Sequence, residues 1–283
     1  MSTISAYQNG ATAHTPNGGV SQHERAKRSV VTGWTRNTVR RHTKWLYSVN
    51  TEGLSGHGYA VTLTLRDCPE SSERFHALRR AWVKRIERMD SVRIHWVIEW
   101  QRRGVPHMHT ALYFDRELSV VERFYLLQHW VDVAAPYGAL HDAQYLLPIS
   151  GPTGWLQYLS KHAARGAAHY QRQGKPAGWE KTGRLWGHLG AWPVEEPMRF
   201  EVPREAFFRY RRLVRSWRLA DARAESDLVT RARRVRSARR MLRSSDRTLS
   251  EVRGVSEWID QDTLLGFLAL LSSEGYVVEQ LPD

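Results

Sequence analysis

The sequence predicts an α+β fold: an antiparallel sheet with helices on one face, followed by helical extensions. Two kinds of segment predict it, one alternating apolar and polar residues with period two, the other spaced as a helix. Their order along the chain is the third observation. Residues 59–65, Tyr-Ala-Val-Thr-Leu-Thr-Leu, alternate and predict the first strand. Residues 71–89 have helical spacing. Residues 92–100 alternate again, residues 102–106 are turn-like, and residues 107–114 predict a third strand. Residues 118–133 predict a second helix, 144–148 a short strand and 153–168 a third helix. The first six of these elements, β-α-β-β-α-β, match the ferredoxin-like (RRM-like) arrangement.

The strand faces support that assignment. In the second strand Ile94, Trp96, Ile98 and Trp100 share one side, and His95, Val97 and Glu99 the other. In the third, Met108, Thr110, Leu112 and Phe114 share one side, and His107, His109 and Ala111 the other. The apolar sides are expected under the helices, which leaves the histidine side open. Around this core, residues 1–22 are polar and predict a disordered arm. Residues 23–54 predict a basic helical segment carrying Trp34 and Trp45, opened by Ser21 and Glu24 as a capping box. The catalytic domain is expected over 55–200. Residues 201–283 form an arginine-rich, mainly helical region whose helices are candidates for duplex DNA.

Composition narrows the function. The 283 residues carry a formal charge of +13, and 36 of the 42 basic residues are arginine. Arginine forks to phosphates and stacks on bases, so the partner expected is nucleic acid. One cysteine, Cys68, excludes an internal disulfide or a cysteine-based zinc site and fits a reducing cytoplasm. The N-terminus has no signal pattern, and the apolar run 264–271 is too short to span a bilayer. The expectation is a cytoplasmic protein without membrane contact.

His107 and His109, in Pro106-His107-Met108-His109, stand two apart on a strand and point the same way. Two neutral imidazoles make half of a divalent-metal site. An oxygen ligand hardens such a site toward Mg²⁺ or Mn²⁺, and Glu99 across the turn is the candidate. If the pairing centres on Arg103, Glu99 sits opposite His107. A two-residue turn at Arg103-Gly104 would move Glu99 opposite Met108, on the wrong face. An odd-length loop or a bulge is therefore expected.

A nucleophile follows downstream. Tyr158 and Lys161, in Tyr158-Leu159-Ser160-Lys161, lie three apart and share a helix face. A phenol, with a pKa near ~10, needs activation to attack at neutral pH. A metal on the scissile phosphate and a nearby ammonium would supply it. Tyr145 and Tyr170 are the competing tyrosines. Arg102, Arg103, Arg165 and Arg172 are candidates to hold the DNA backbone, and Trp155 to stack a base.

Taken together, Pro106-His107-Met108-His109 resembles the His-hydrophobe-His motif of the HUH endonuclease superfamily. The Thr-Leu-Thr-Leu of residues 62–65 resembles the first motif of rolling-circle replication initiators (Rep), and Tyr158-Leu159-Ser160-Lys161 their tyrosine motif. The resemblance spans about residues 55–190. It implies a ferredoxin-like nuclease core with the active site on the sheet face away from the helices. It also implies Mg²⁺ or Mn²⁺, with Glu99 as third ligand, and cleavage of single-stranded DNA at an origin, often in a hairpin. Two-tyrosine initiators carry a second tyrosine one helical turn on, where this chain has His162, so a single-tyrosine enzyme of a plasmid or small phage is implied. No Gly-x-x-x-x-Gly-Lys-Ser/Thr loop occurs, so a host helicase would unwind the duplex. The alternatives are a relaxase or single-strand transposase of the same superfamily, or a non-enzymatic nucleic-acid-binding module.

Overall fold

A computed structural model describes residues 1–15, 30–151, 154, 166–241 and 254–282. The expected cap at Ser21 and most of the helix at 153–168 lie outside them. The chain forms two compact units, one of residues 24–46 and 50–193, the other of residues 1–23, 47–49 and 194–283. Among the described residues no helix is long and apolar enough to cross a membrane.

In the larger unit, β3 (His57–Leu63), α2 (Ser72–Glu87), β4 (Ser91–Trp100), β5 (Pro106–Phe114), α3 (Val120–Ala134) and β6 (Tyr145–Ile149) follow in the expected order. The sheet runs β6-β3-β5-β4-β7, all antiparallel, with β7 (Trp186–Gly190) added at the edge. Its first four strands have the ferredoxin-like order. Both helices start where the sequence offers a cap. Ser71 accepts from the Arg74 amide, and Ser119 and Glu122 form a reciprocal capping box.

The core lies between this sheet and the two helices. Tyr59, Val61, Leu63, Ile94, Trp96, Ile98, Trp100, Met108, Leu112 and Phe114 pack against Phe75, Leu78, Trp82, Ile86, Leu126 and Trp130. Two of its tryptophans satisfy their indole N–H groups on backbone carbonyls: Trp82 donates to Leu126 at 3.2 Å and Trp130 to Thr64 at 3.0 Å.

The opposite face is not open, as the sequence suggested. The part of α1 (Arg36–Ser48) within this unit lies over it. His42 Nε2 is 3.1 Å from His95 Nε2, and the Trp45 ring stacks on His95 and His188 at 4.8 and 4.6 Å. Trp34, expected inside this helix, precedes it and donates to the Ile98 carbonyl at 2.9 Å. The physical reason is burial of aromatic surface: α1 brings rings that gain from leaving water, and His95 and Val97 offer them a flat partner.

The smaller unit overturns the expectation of a disordered N-terminal arm. β1 (Ser2–Tyr7) and β2 (Gly10–His14) form a hairpin inside a sheet ordered β10-β8-β1-β2-β9. Its other strands are β8 (Met198–Val202), β9 (Val255–Trp258) and β10 (Glu279–Leu281). Small polar residues fit here because Ile4, Ala6, Ala11 and Ala13 alternate inward. They meet Phe207, Tyr210 and Val214 of α4 (Arg204–Ala224) and Leu264, Leu268 and Leu271 of α6 (Gln261–Ser273). The helical pattern over 207–241 is two helices, α4 and α5 (Leu228–Arg240), separated where Asp227 caps α5 by accepting from the Thr230 amide at 2.7 Å.

Candidate metal centre

The register decides the site. Glu99 pairs with His107, and Trp100 with Pro106, so the pairing centres on Arg103. The turn is an odd five-residue loop in which Gln101 N–H donates to the Val105 carbonyl at 2.9 Å. Gly104 takes φ +79°, the left-handed conformation that closes a three-residue turn with a glycine bulge. Two adjacent strands therefore present Glu99, His107 and His109 on one side.

One ligand atom from each of these three lies within 4.8 Å of the others, the only such grouping of three or more among the described residues. Glu99 Oε2 is 3.9 Å from His109 Nε2, and the two imidazoles meet edge-on with ring centroids 4.6 Å apart. Thr62 sits opposite His109 on β3, with its Oγ1 3.0 Å from His109 Nδ1. That contact holds the ring with Nε2 toward Glu99, the role an outer partner plays for a ligating histidine. Glu99 is fully buried and His107 nearly so, while 13% of the His109 side chain remains exposed. Two imidazole nitrogens and a carboxylate oxygen, converging at this spacing, fit a divalent cation with open coordination positions.

Arg172, expected at the DNA backbone, is instead buried beneath the site. Its Nε donates to Glu99 Oε1 at 3.0 Å, both side chains are fully buried, and the guanidinium lies 4.1 Å over the Trp34 ring. A buried carboxylate needs a counter-charge, and the planar guanidinium supplies one while stacking on an indole. Arg103 donates to the carbonyls of Leu65 and Arg66 and to Gln101 Oε1, which ties the turn to the end of β3. Arg102 is exposed, with its guanidinium 5.4 Å over the Tyr170 ring. Tyr145 pairs with Thr62, so it stands on the ligand face, and it is 57% exposed. Tyr158, Lys161, Trp155 and Arg165 lie outside the described residues.

The sequence reading missed Thr62, Trp34 and the true place of Arg172. Thr62 was readable in principle, since it occupies a polar position of the alternating first strand. Trp34 and Arg172 reach the site from distant segments, and no local pattern marks them.

Comparison with known proteins agrees with a replication role. Residues 58–170 match the family model of the ORF2 type of replication-associated protein. The chain is 43% identical over 259 residues to a replication-associated protein of Pseudomonas phage Pf3, covering 90% of this chain and 91% of that protein. It is 44% identical over 291 residues to a "Putative replication protein" of Xylella fastidiosa (strain 9a5c), covering 98% and 99%. No solved structure shows detectable similarity. With a trio of metal-ligand side chains on a ferredoxin-like sheet and relatives matched along nearly their whole length, the chain belongs to the ORF2 family of replication-associated proteins.

Proposed function

We propose that this chain initiates rolling-circle replication by nicking one DNA strand at an origin, as a single-tyrosine enzyme of the HUH endonuclease superfamily. The observation that carries the reading is the convergence of Glu99, His107 and His109 on two paired strands. Mg²⁺ or Mn²⁺ held there would draw charge off the scissile phosphate. Thr62 keeps His109 turned inward, and Arg172 keeps Glu99 in place. The Tyr158 phenolate oxygen attacks phosphorus, the bond from phosphorus to the 3′ oxygen breaks, and that oxygen takes up a proton. The product is a 5′-phosphotyrosine and a free 3′-hydroxyl, and the retained phosphodiester energy allows later rejoining. Lys161 steadies the phenolate or the charge developing on the phosphoryl oxygens. Arg102, Arg165 and Trp155 contact the strand, and a host helicase unwinds the duplex.

Tyr145 supports a second assignment of the nucleophile, because it is exposed on the ligand face two strands from His109. The test is incubation with Mn²⁺ and single-stranded oligonucleotides carrying the replicon's origin, followed by denaturing electrophoresis. Tyr158→Phe abolishes the covalent adduct, Tyr145→Phe retains it, and EDTA prevents its formation by the wild type. An adduct that survives in Tyr158→Phe but not in Tyr145→Phe moves the nucleophile. Binding without cleavage of any strand refutes the enzymatic reading.

A further inference from the structure

Helix α5 is not part of the face that carries the metal centre's ligands. Its 13 residues, Leu-Val-Thr-Arg-Ala-Arg-Arg-Val-Arg-Ser-Ala-Arg-Arg, contain six arginines and no acidic residue. It is seated on one side only. Ala238 is its single buried residue, and Arg234 is anchored by Glu225 at 2.9 Å and by Asp221. The other side is exposed: Val229, Ala232, Arg233, Arg236, Ser237 and Arg240. These positions recur at helical spacing and form one continuous face. Among the described residues, Arg233, Arg236 and Arg240 form no salt bridge with an acidic side chain; Asp227, at the cap, acts on Arg233 only through its field.

A face like this repels itself, and it stays helical because Asp227 caps the positive end and Arg234 is neutralised on the seated side. Its chemistry selects an occupant. It holds no aromatic residue, so it lacks the stacking platform that single strands use. It lacks the bulky apolar stripe of a membrane-surface helix. Between its arginines stand Ala232 and Ser237, small enough to let the helix axis approach a groove. At 1.5 Å per residue, Arg233 and Arg240 are about 10 Å apart along the axis, close to the ~12 Å width of the major groove of B-DNA.

We infer that the exposed face of α5 is a second nucleic-acid site, which grips the phosphates of double-stranded DNA through Arg233, Arg236 and Arg240. It is separate from the site proposed to act on a single strand and does not depend on that proposal. The full-length protein is titrated in EDTA against a labelled duplex of about 30 base pairs, a single strand of the same length and anionic phospholipid vesicles, at several salt concentrations. Replacing the three arginines by glutamine removes about three phosphate contacts. The slope of log affinity against log salt then falls by about 2.7, and duplex affinity falls on the order of 100-fold near 0.15 M salt. Single-strand affinity stays within about twofold. The triple lysine variant keeps the charge and retains the wild-type slope, which separates lost contacts from a damaged fold. Unchanged duplex affinity and slope in the glutamine variant overturn the inference. So do an equal loss on the single strand, a preference for vesicles over duplex, or loss in the lysine variant.

Discussion

Replacing Arg172 by methionine removes the counter-charge of a carboxylate that has no access to water. Glu99 and Arg172 are both fully buried and meet at 3.0 Å, so solvent cannot take over when one partner goes. Breaking such a pair from one side costs about 3–5 kcal/mol. Methionine keeps the apolar stem over Trp34, so little of the loss comes from packing. In thermal unfolding followed by circular dichroism without divalent metal, the midpoint falls by roughly 6–20 °C, at ~2–4 °C per kcal/mol for a domain of this size. Glu99→Met restores most of the loss when added to Arg172→Met, since the double variant buries no charge, and the double-mutant cycle gives a coupling above about 2 kcal/mol. Mn²⁺ raises the midpoint of Arg172→Met more than that of the wild type, because a cation beside Glu99 replaces the missing charge. A single variant within about 1 kcal/mol of wild type, or a cycle without coupling, refutes the reasoning.

Glu257 on β9 is buried, with Arg218 Nε 3.1 Å away, and burial pushes its carboxyl up to about 7 against the partial opposition of Arg218. A raised folded-state pKa means that the folded protein binds the extra proton. The stability Glu257 contributes is therefore full below the unfolded-state pKa of ~4.3 and is lost as pH rises through about 7. Urea melts show wild-type stability falling between pH 5 and 8 by up to about 1.4 kcal/mol per unit from this group, and Glu257→Gln flattens that segment. Equal slopes in the two proteins count against it. Two glycines separate strain from space. Gly190 has φ +81°, and a Cβ there would lie 2.0 Å from the Val92 carbonyl oxygen, whereas Gly104 at φ +79° faces open space. Gly104→Ala costs roughly 1–2 kcal/mol and Gly190→Ala about 3 kcal/mol or more, measured by chemical denaturation. Equal costs show that the backbone at β7 yields.

The larger unit was legible because its pattern is local. Alternation in β3, β4 and β5, helical spacing with caps at Ser71 and Ser119, and their order led to the sheet and its helices. The parity of the turn led to the pairing of Glu99 with His107. The hairpin of β1 and β2 was not legible. Its small residues lack the hydrophobicity of a core strand, and they become one only between β8 and β9, supplied from the far end of the chain.

The sequence by itself determined that two histidines and a glutamate share one side of a β-hairpin, because side-chain direction in a strand follows from position alone. It also determined the arginine-rich, acid-free stretch that became α5. Only the tertiary structure decided that the ligand side is covered by α1, that Thr62 orients His109, and that Arg172 lies buried against Glu99 rather than exposed to a DNA backbone. These contacts join residues 47 to 73 positions apart, and no periodicity within one segment records which distant side chain will meet the charge it buries.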